Sequence, residues 1–138
     1  MAKGDPFSIR LSASTDRFVD AEARRTRRSK SAVVETLTEE AARMRRFPGI
    51  GFRGADADRR AWVIGSGLDV WQIAEAIAEA GSPEFLVASS ELDERAVRLA
   101  AAYREHYPEE IAEAIAENRR SLDELRDLYP FISVERAR

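Results

Sequence analysis

The stretch Phe7-Ser8-Ile9-Arg10-Leu11-Ser12 alternates apolar and polar residues, and its reading decides the fold of the front of this chain. Period-two alternation sets Phe7, Ile9 and Leu11 on one face of a strand and Ser8, Arg10 and Ser12 on the other. A lone strand this short is not stable in water, and no second strand pattern follows before Phe47. The simplest partner is therefore the same strand of a second copy. Antiparallel pairing of the two copies builds a ribbon whose outer face repeats serine, arginine and serine twice.

Two helical patterns follow and meet near Ser29. The first is expected from Thr15, as its N-cap, to about Arg27, with Asp16 in the first turn and Phe18, Val19, Ala21 and Ala23 on its apolar side. The second is expected from the cap Ser29, with Val33, Leu37, Ala41 and Met44 on one stripe. The join carries Arg24, Arg25, Arg27, Arg28 and Lys30, a basic cluster suited to a polyanion.

Strand, helix and helix in this order, over roughly residues 5 to 46, resemble the ribbon-helix-helix repressors of the Arc, MetJ and CopG type. That resemblance implies DNA base contacts from Ser8, Arg10 and Ser12. It also implies phosphate contacts from Arg28, Ser29, Lys30 and Ser31. Both roles are chemically sound: arginine donates bidentately to guanine O6 and N7, and free amides at a helix start favour a phosphate. Family members usually carry glycine between the helices, where this chain has Arg27 or Arg28, so an arginine must adopt a left-handed backbone or the turn must change. Taken singly, a Ser-Arg-Ser face and a serine cap are ordinary solvated features.

Charge separates the chain into two parts. Residues 1 to 47 hold 11 Lys and Arg against 7 Asp and Glu, net +4, and residues 48 to 138 hold 11 against 18, net −7, consistent with the overall −3. The basic part suits DNA, whereas the acidic part would be repelled by phosphates and suits a protein partner. With no cysteine among 138 residues there is no disulfide framework or thiolate chemistry. The absence of a bilayer-length apolar run or signal-peptide pattern leads to the expectation of a cytoplasmic protein without membrane association. A domain of some forty-five residues buries too little as a monomer, so dimerisation is expected to be part of its folding.

Proline and glycine at Phe47-Pro48-Gly49 end the first part. Ile50 to Arg53 and Arg59 to Ile64 then read as a short hairpin across the polar loop Gly54 to Asp58. Gly65-Ser66-Gly67 is expected to open a helix to Ala80 that stops at Gly81. A short helix from the Ser82 cap to Ser89 or Ser90 and a longer one from Leu92 to His106 come next. Further helical segments are expected at Glu109 to Arg120 and Ser121 to Leu128.

The run Gly65-Ser66-Gly67-Leu68-Asp69-Val70-Trp71, the Ile- and Ala-rich helix after it and Gly81-Ser82-Pro83-Glu84 are similar to the winged-helix-like domain of unknown function catalogued as family 433. Members of that family serve as antitoxin parts of bacterial toxin–antitoxin pairs. The usual threonine-arginine pair near the glycine is missing here, so the resemblance implies only the fold and an association with partner proteins.

Several features are discounted. Gly65-Ser66-Gly67 lacks the lysine or third glycine of a phosphate loop and reads as a turn and cap. His106 is the single histidine, beside Tyr107 and Pro108, and has no cysteine for company. Glu109, Glu113 and Glu117 read as a solvated stripe. The sequence Ile-Ala-Glu-Ala-Ile-Ala-Glu occurs at both Ile73 and Ile111 without matching flanks, as amphipathic helices do by convergence. Trp62 and Trp71 are expected in the core, with a partner hot spot as the other use.

The expectation is thus a mostly α protein: an N-terminal ribbon-helix-helix domain, residues 1 to 47, followed by a helical winged-helix-like domain with a short β-hairpin, residues 48 to 120. Residues 121 to 138 form a helix and tail in which Tyr129, Phe131, Ile132 and Arg136 are candidate partner contacts. No cofactor, metal or catalytic constellation is expected. The function implied is a homodimeric antitoxin and autorepressor that binds operator DNA and a toxin, such as a PIN-type ribonuclease. The alternatives are a stand-alone repressor and a dimeric protein-interaction module that binds no DNA.

Overall fold

A computed structural model describes residues 4 to 128. Among these described residues, six α-helices and one small antiparallel sheet make a mostly helical fold. It divides into two compact units, Met1–Ala42 and Arg43–Arg138.

In the first unit residues 4 to 11 have no regular secondary structure, so the expected strand is not formed within a single chain. Helix α1 spans Ala13–Thr26, and its N-cap is Ser12, whose hydroxyl accepts from the Thr15 amide at 3.4 Å. The cap therefore lies three residues before the expected Thr15. Physically, the strand pattern ends at Leu11 because Ser12 serves the helix instead. At the other end Arg27 adopts the left-handed conformation, φ 55° and ψ 39°. There the amides of Arg27 and Arg28 both donate to the Ala23 carbonyl. This motif normally carries glycine, and the arginine accepts its steric cost.

Helix α2 spans Lys30–Arg46, capped by Ser29, whose hydroxyl accepts from the Ala32 amide at 3.1 Å. Of the described residues in the first unit, Val19 and Val33 alone are buried. Phe7, Ile9, Phe18 and Leu37 remain 83, 55, 54 and 40 % exposed. Such a unit covers little of its own apolar surface.

The division falls inside α2, between Ala42 and Arg43: Phe47 lies in the core of the second unit and half-buried Arg43 is bonded to it. Arg43 hydrogen-bonds Tyr103, and the Phe47 ring meets that of Tyr103 edge-on at 5.4 Å.

Strands β1 (Ile50–Arg53) and β2 (Arg60–Val63) pair antiparallel, with Ile50 opposite Val63 and Phe52 opposite Ala61. Their connection holds a 3-10 turn, Asp56–Asp58, and is tied by Arg59, which donates to the carbonyls of Gly54 at 3.0 Å and Phe52 at 3.2 Å. Gly54 is required here: its φ is +105°, and a Cβ would lie 2.5 Å from the Asp58 carbonyl oxygen.

The Gly65-Ser66-Gly67 stretch is the turn its glycines suggest, and it leads into the helix after it. Ser66 donates to the Val63 carbonyl at 2.7 Å, and helix α3 (Val70–Ala80) begins after the N-cap Asp69. Gln72 accepts from the Asp69 amide at 2.8 Å, completing the cap. Gly81 ends α3 in the left-handed conformation, and Ser82 with Pro83 starts helix α4 (Pro83–Ser89). Helix α5 spans Glu94–His106, beginning two residues after the expected Leu92 because Asp93 is its cap.

Helix α6 runs unbroken over Pro108–Leu128, where two segments were expected. A serine inside a helix is tolerated, and no glycine or proline stands at the supposed break.

The core gathers Ile50, Val63, Val70, Ile73, Ile77, Leu86, Val97, Tyr103 and Ile111, with small residues Ala74, Ala96 and Ala100 between helices α3 and α5. The repeated heptapeptide is used differently in its two copies: α3 buries Ile73, Ala74 and Ile77, whereas α6 buries Ile111 and Ala114 and leaves Ala112 exposed. No helix among the described residues is long and apolar enough to cross a membrane.

Candidate nucleic-acid interface

Ser8 and Arg10 lie in the irregular segment before α1 and are exposed. Arg10 makes no hydrogen bond or ion pair with any described residue, so its guanidinium is available to an outside acceptor. Ser12 differs from the expectation. Its hydroxyl is engaged with the Thr15 amide and donates to Thr15 Oγ1 at 3.0 Å, which removes it from the strand face and makes it a helix cap.

The start of α2 was expected to hold a phosphate with Arg28, Ser29, Lys30 and Ser31. Ser29 uses its side chain on Ala32 and its carbonyl on Val33. The amides of Lys30 and Ser31 have no partner among the described residues, as the first turn of a helix dictates. Arg28, in the connection before α2, is turned onto that helix, donating to the Ala32 carbonyl at 3.1 Å and to Thr36 Oγ1 at 2.8 Å. Lys30 pairs with Asp16 and, at 3.5 Å, with Asp20, both on α1. The hydrogen bond from Asp16 holds the Lys30 ammonium above its ordinary pKa, so it stays charged.

Two of the four expected phosphate contacts thus already have acceptors inside the first unit. A pair this exposed is weak and exchanges readily for another anion, so the pairing reduces but does not abolish Lys30 as a phosphate ligand. Other cations are freer. Arg17, Arg24 and Arg27 are exposed and form no ion pair with described residues, whereas Arg25 is bound to Glu22 at 2.8 Å. Sequence reading grouped Arg24 and Arg27 in the basic cluster without giving either a role. It missed the acidic partners on α1 altogether, although Asp16 and Asp20 fall one helical turn apart and so share a face.

In the second unit both tryptophans are half-buried. Trp71 packs against the core and donates to Asp69 at 3.1 Å; Trp62 lies under the Arg53 guanidinium at 4.7 Å, which itself donates to Asp69 at 2.8 Å. His106 is exposed, with its ring 5.1 Å from Phe47. Glu109 and Glu113 are exposed; Glu117, also exposed, pairs with Arg60. The candidate partner contacts Tyr129, Phe131, Ile132 and Arg136 lie outside the described residues.

A second polar constellation was invisible in the sequence. Arg43 donates to Tyr103 Oη at 2.8 Å and to Glu110 Oε1 at 2.7 Å, and Tyr103 donates to Glu110 Oε2 at 2.7 Å. The same guanidinium lies 3.9 Å above the Tyr107 ring. Burial and the neighbouring Glu110 raise the Tyr103 pKa well above its usual range, so this phenol is a structural donor and not an acid.

No family model, curated protein or solved structure matches this chain.

Proposed function

We propose that this protein is a homodimeric DNA-binding transcriptional regulator that serves as the antitoxin of a toxin–antitoxin pair. The observation that carries the reading is the incompleteness of the first unit. It buries Val19 and Val33 while Phe18 and Leu37 stay exposed, as do Phe7 and Ile9 of the irregular segment whose sequence alternates as a strand does. Pairing of residues 7 to 11 between two copies, in a ribbon-helix-helix arrangement, would cover the apolar side and turn Ser8 and Arg10 outward together. Arg10 then reads a base in the major groove, and the free amides of Lys30 and Ser31 seat a phosphate. The second unit, in this reading a winged-helix-like domain with a net acidic sequence, holds the toxin, such as a PIN-type ribonuclease, and leaves DNA to the first.

An electrophoretic shift with DNA from upstream of the protein's own gene, at a stated salt concentration, tests the reading. Arg10→Ala should cost about 1–3 kcal/mol on the preferred operator and relax the choice of one base per half-site. An equal loss on every sequence would reject base reading by this residue.

A second reading, a dimeric interaction module without DNA, draws support from the attachment of Lys30 to Asp16 and Asp20. Sedimentation showing a dimer, with no shift of any DNA at low salt, would select it.

A further inference from the structure

Helices α4 and α5 enclose a groove of about 480 Å³. One wall is Pro83, Glu84 and Val87 of α4. The other is a stripe along α5 through Glu94, Arg98, Ala101, Ala102 and Glu105, positions that fall on one helical face. Ala101 and Ala102 make a shallow apolar floor beside Val87, all half-buried and carrying no polar group. Small side chains at the bottom of a groove let another helix approach closely.

The rim is acidic. Arg98 is neutralised by Glu94, which accepts from it at 2.7 Å. Glu84 and Glu105 are exposed and pair with no described residue, so they leave two uncompensated carboxylates on the rim. The surface therefore offers an apolar strip flanked by negative charge.

We infer that the groove between α4 and α5 binds a basic amphipathic helix of a partner protein, with small apolar residues on the floor and lysine or arginine against Glu84 and Glu105. The inference rests on the reading that the second unit holds a protein, and it names the surface used. The stripe from Glu94 to Glu105 covers about 16 Å of helix axis, enough for three turns of a bound helix. Glu84 sits in the first turn of α4 and Glu105 in the last turn of α5, so the two carboxylates come from different elements and fix the orientation of the incoming helix as well as its charge.

The test uses the full chain and a fluorescent amphipathic peptide of about 15 residues, with leucine and alanine on one face and lysine on its flanks, in anisotropy titrations. Binding is expected, with a loss of about tenfold or more in the double variant Glu84→Lys and Glu105→Lys. A control double variant, Glu79→Lys and Glu91→Lys, carries the same charge change outside the groove and should lose far less. A scrambled peptide of identical composition should bind weakly. Equal losses in the two double variants, or equal binding of the scrambled peptide, overturn the inference, since attraction is then diffuse electrostatics. A change of oligomeric state in the Glu84/Glu105 variant also overturns it, by assigning the groove to a second copy. Co-purification with the product of the neighbouring gene is measured separately. Its failure would remove the antitoxin reading while leaving the peptide result to decide the groove.

Discussion

Replacing Tyr103 by phenylalanine isolates the polar cluster at Arg43 from the packing around it. The ring is fully buried and keeps its edge-on contact with Phe47 at 5.4 Å, so the substitution removes the hydroxyl alone. That hydroxyl accepts from Arg43 at 2.8 Å and donates to Glu110 at 2.7 Å, both charged partners. Hydrogen bonds to charged groups contribute about 1.5–3 kcal/mol each when isolated. Here Arg43 and Glu110 retain each other at 2.7 Å, and the Glu110 side chain is 42 % exposed, so water replaces part of what is lost. The expected cost is about 1–2 kcal/mol. Tyr103→Ala also opens a cavity and should cost about 3–5 kcal/mol. Trp62 and Trp71 are the two tryptophans of the chain and both belong to the second unit, so urea unfolding followed by tryptophan fluorescence reports on that unit alone. At an m-value of about 2 kcal/mol/M, Tyr103→Phe should lower the midpoint by roughly 0.5–1 M. An unchanged midpoint, or a loss as large as that of Tyr103→Ala, would refute this division between hydroxyl and ring.

The raised pKa of Tyr103 gives an alkaline counterpart: the folded state holds the phenolic proton more tightly than the unfolded chain, so its contribution is complete below the ordinary value of 10.0 and declines above it. Wild type should therefore lose stability faster than Tyr103→Phe in urea titrations taken above that pH. Arg27→Gly relieves the left-handed arginine at φ 55° and should stabilise the turn between α1 and α2 by about 1 kcal/mol, seen as slower hydrogen exchange of the Arg27 and Arg28 amides. Gly54→Ala sets a Cβ 2.5 Å from the Asp58 carbonyl and should destabilise the hairpin by more than about 1 kcal/mol, read as a lower urea midpoint by tryptophan fluorescence. Asp16→Asn weakens the hold on Lys30, so if DNA is bound, affinity should rise and the salt slope should steepen by roughly one phosphate contact.

Elements bounded by local chemistry were readable directly. Gly81, Ser82 and Pro83 mark the end of α3 and the start of α4 because each acts through its own backbone or the next turn. Strand β1 was also readable at its residues, Ile50 to Arg53. Errors arose where two local signals competed. Ser12 continued an alternation and also suited a helix cap, and the cap prevailed. A serine near residue 121 suggested a second start, but without a breaker α6 continues. The residues of the Arg43 cluster were beyond sequence reading for another reason: Arg43 is 60 positions from Tyr103 and 67 from Glu110, so no periodicity links them. Of the candidate DNA contacts, Arg10 is exposed, as the polar face of an alternating segment implies. The competing acids on α1 emerge only once the helix places Asp16 and Asp20 within reach of Lys30.

The buried alanines have a broader consequence. With Ala74, Ala96, Ala100 and Ala114 at or near full burial, α3, α5 and α6 are spaced by methyl groups, and backbone proximity fixes their separation. Enlarging any one of them forces extra volume into a packed interior. Drift in this family of positions is therefore expected to be concerted or absent, which makes the second unit a stiff platform on which surface residues can diversify while the spacing beneath them stays constant.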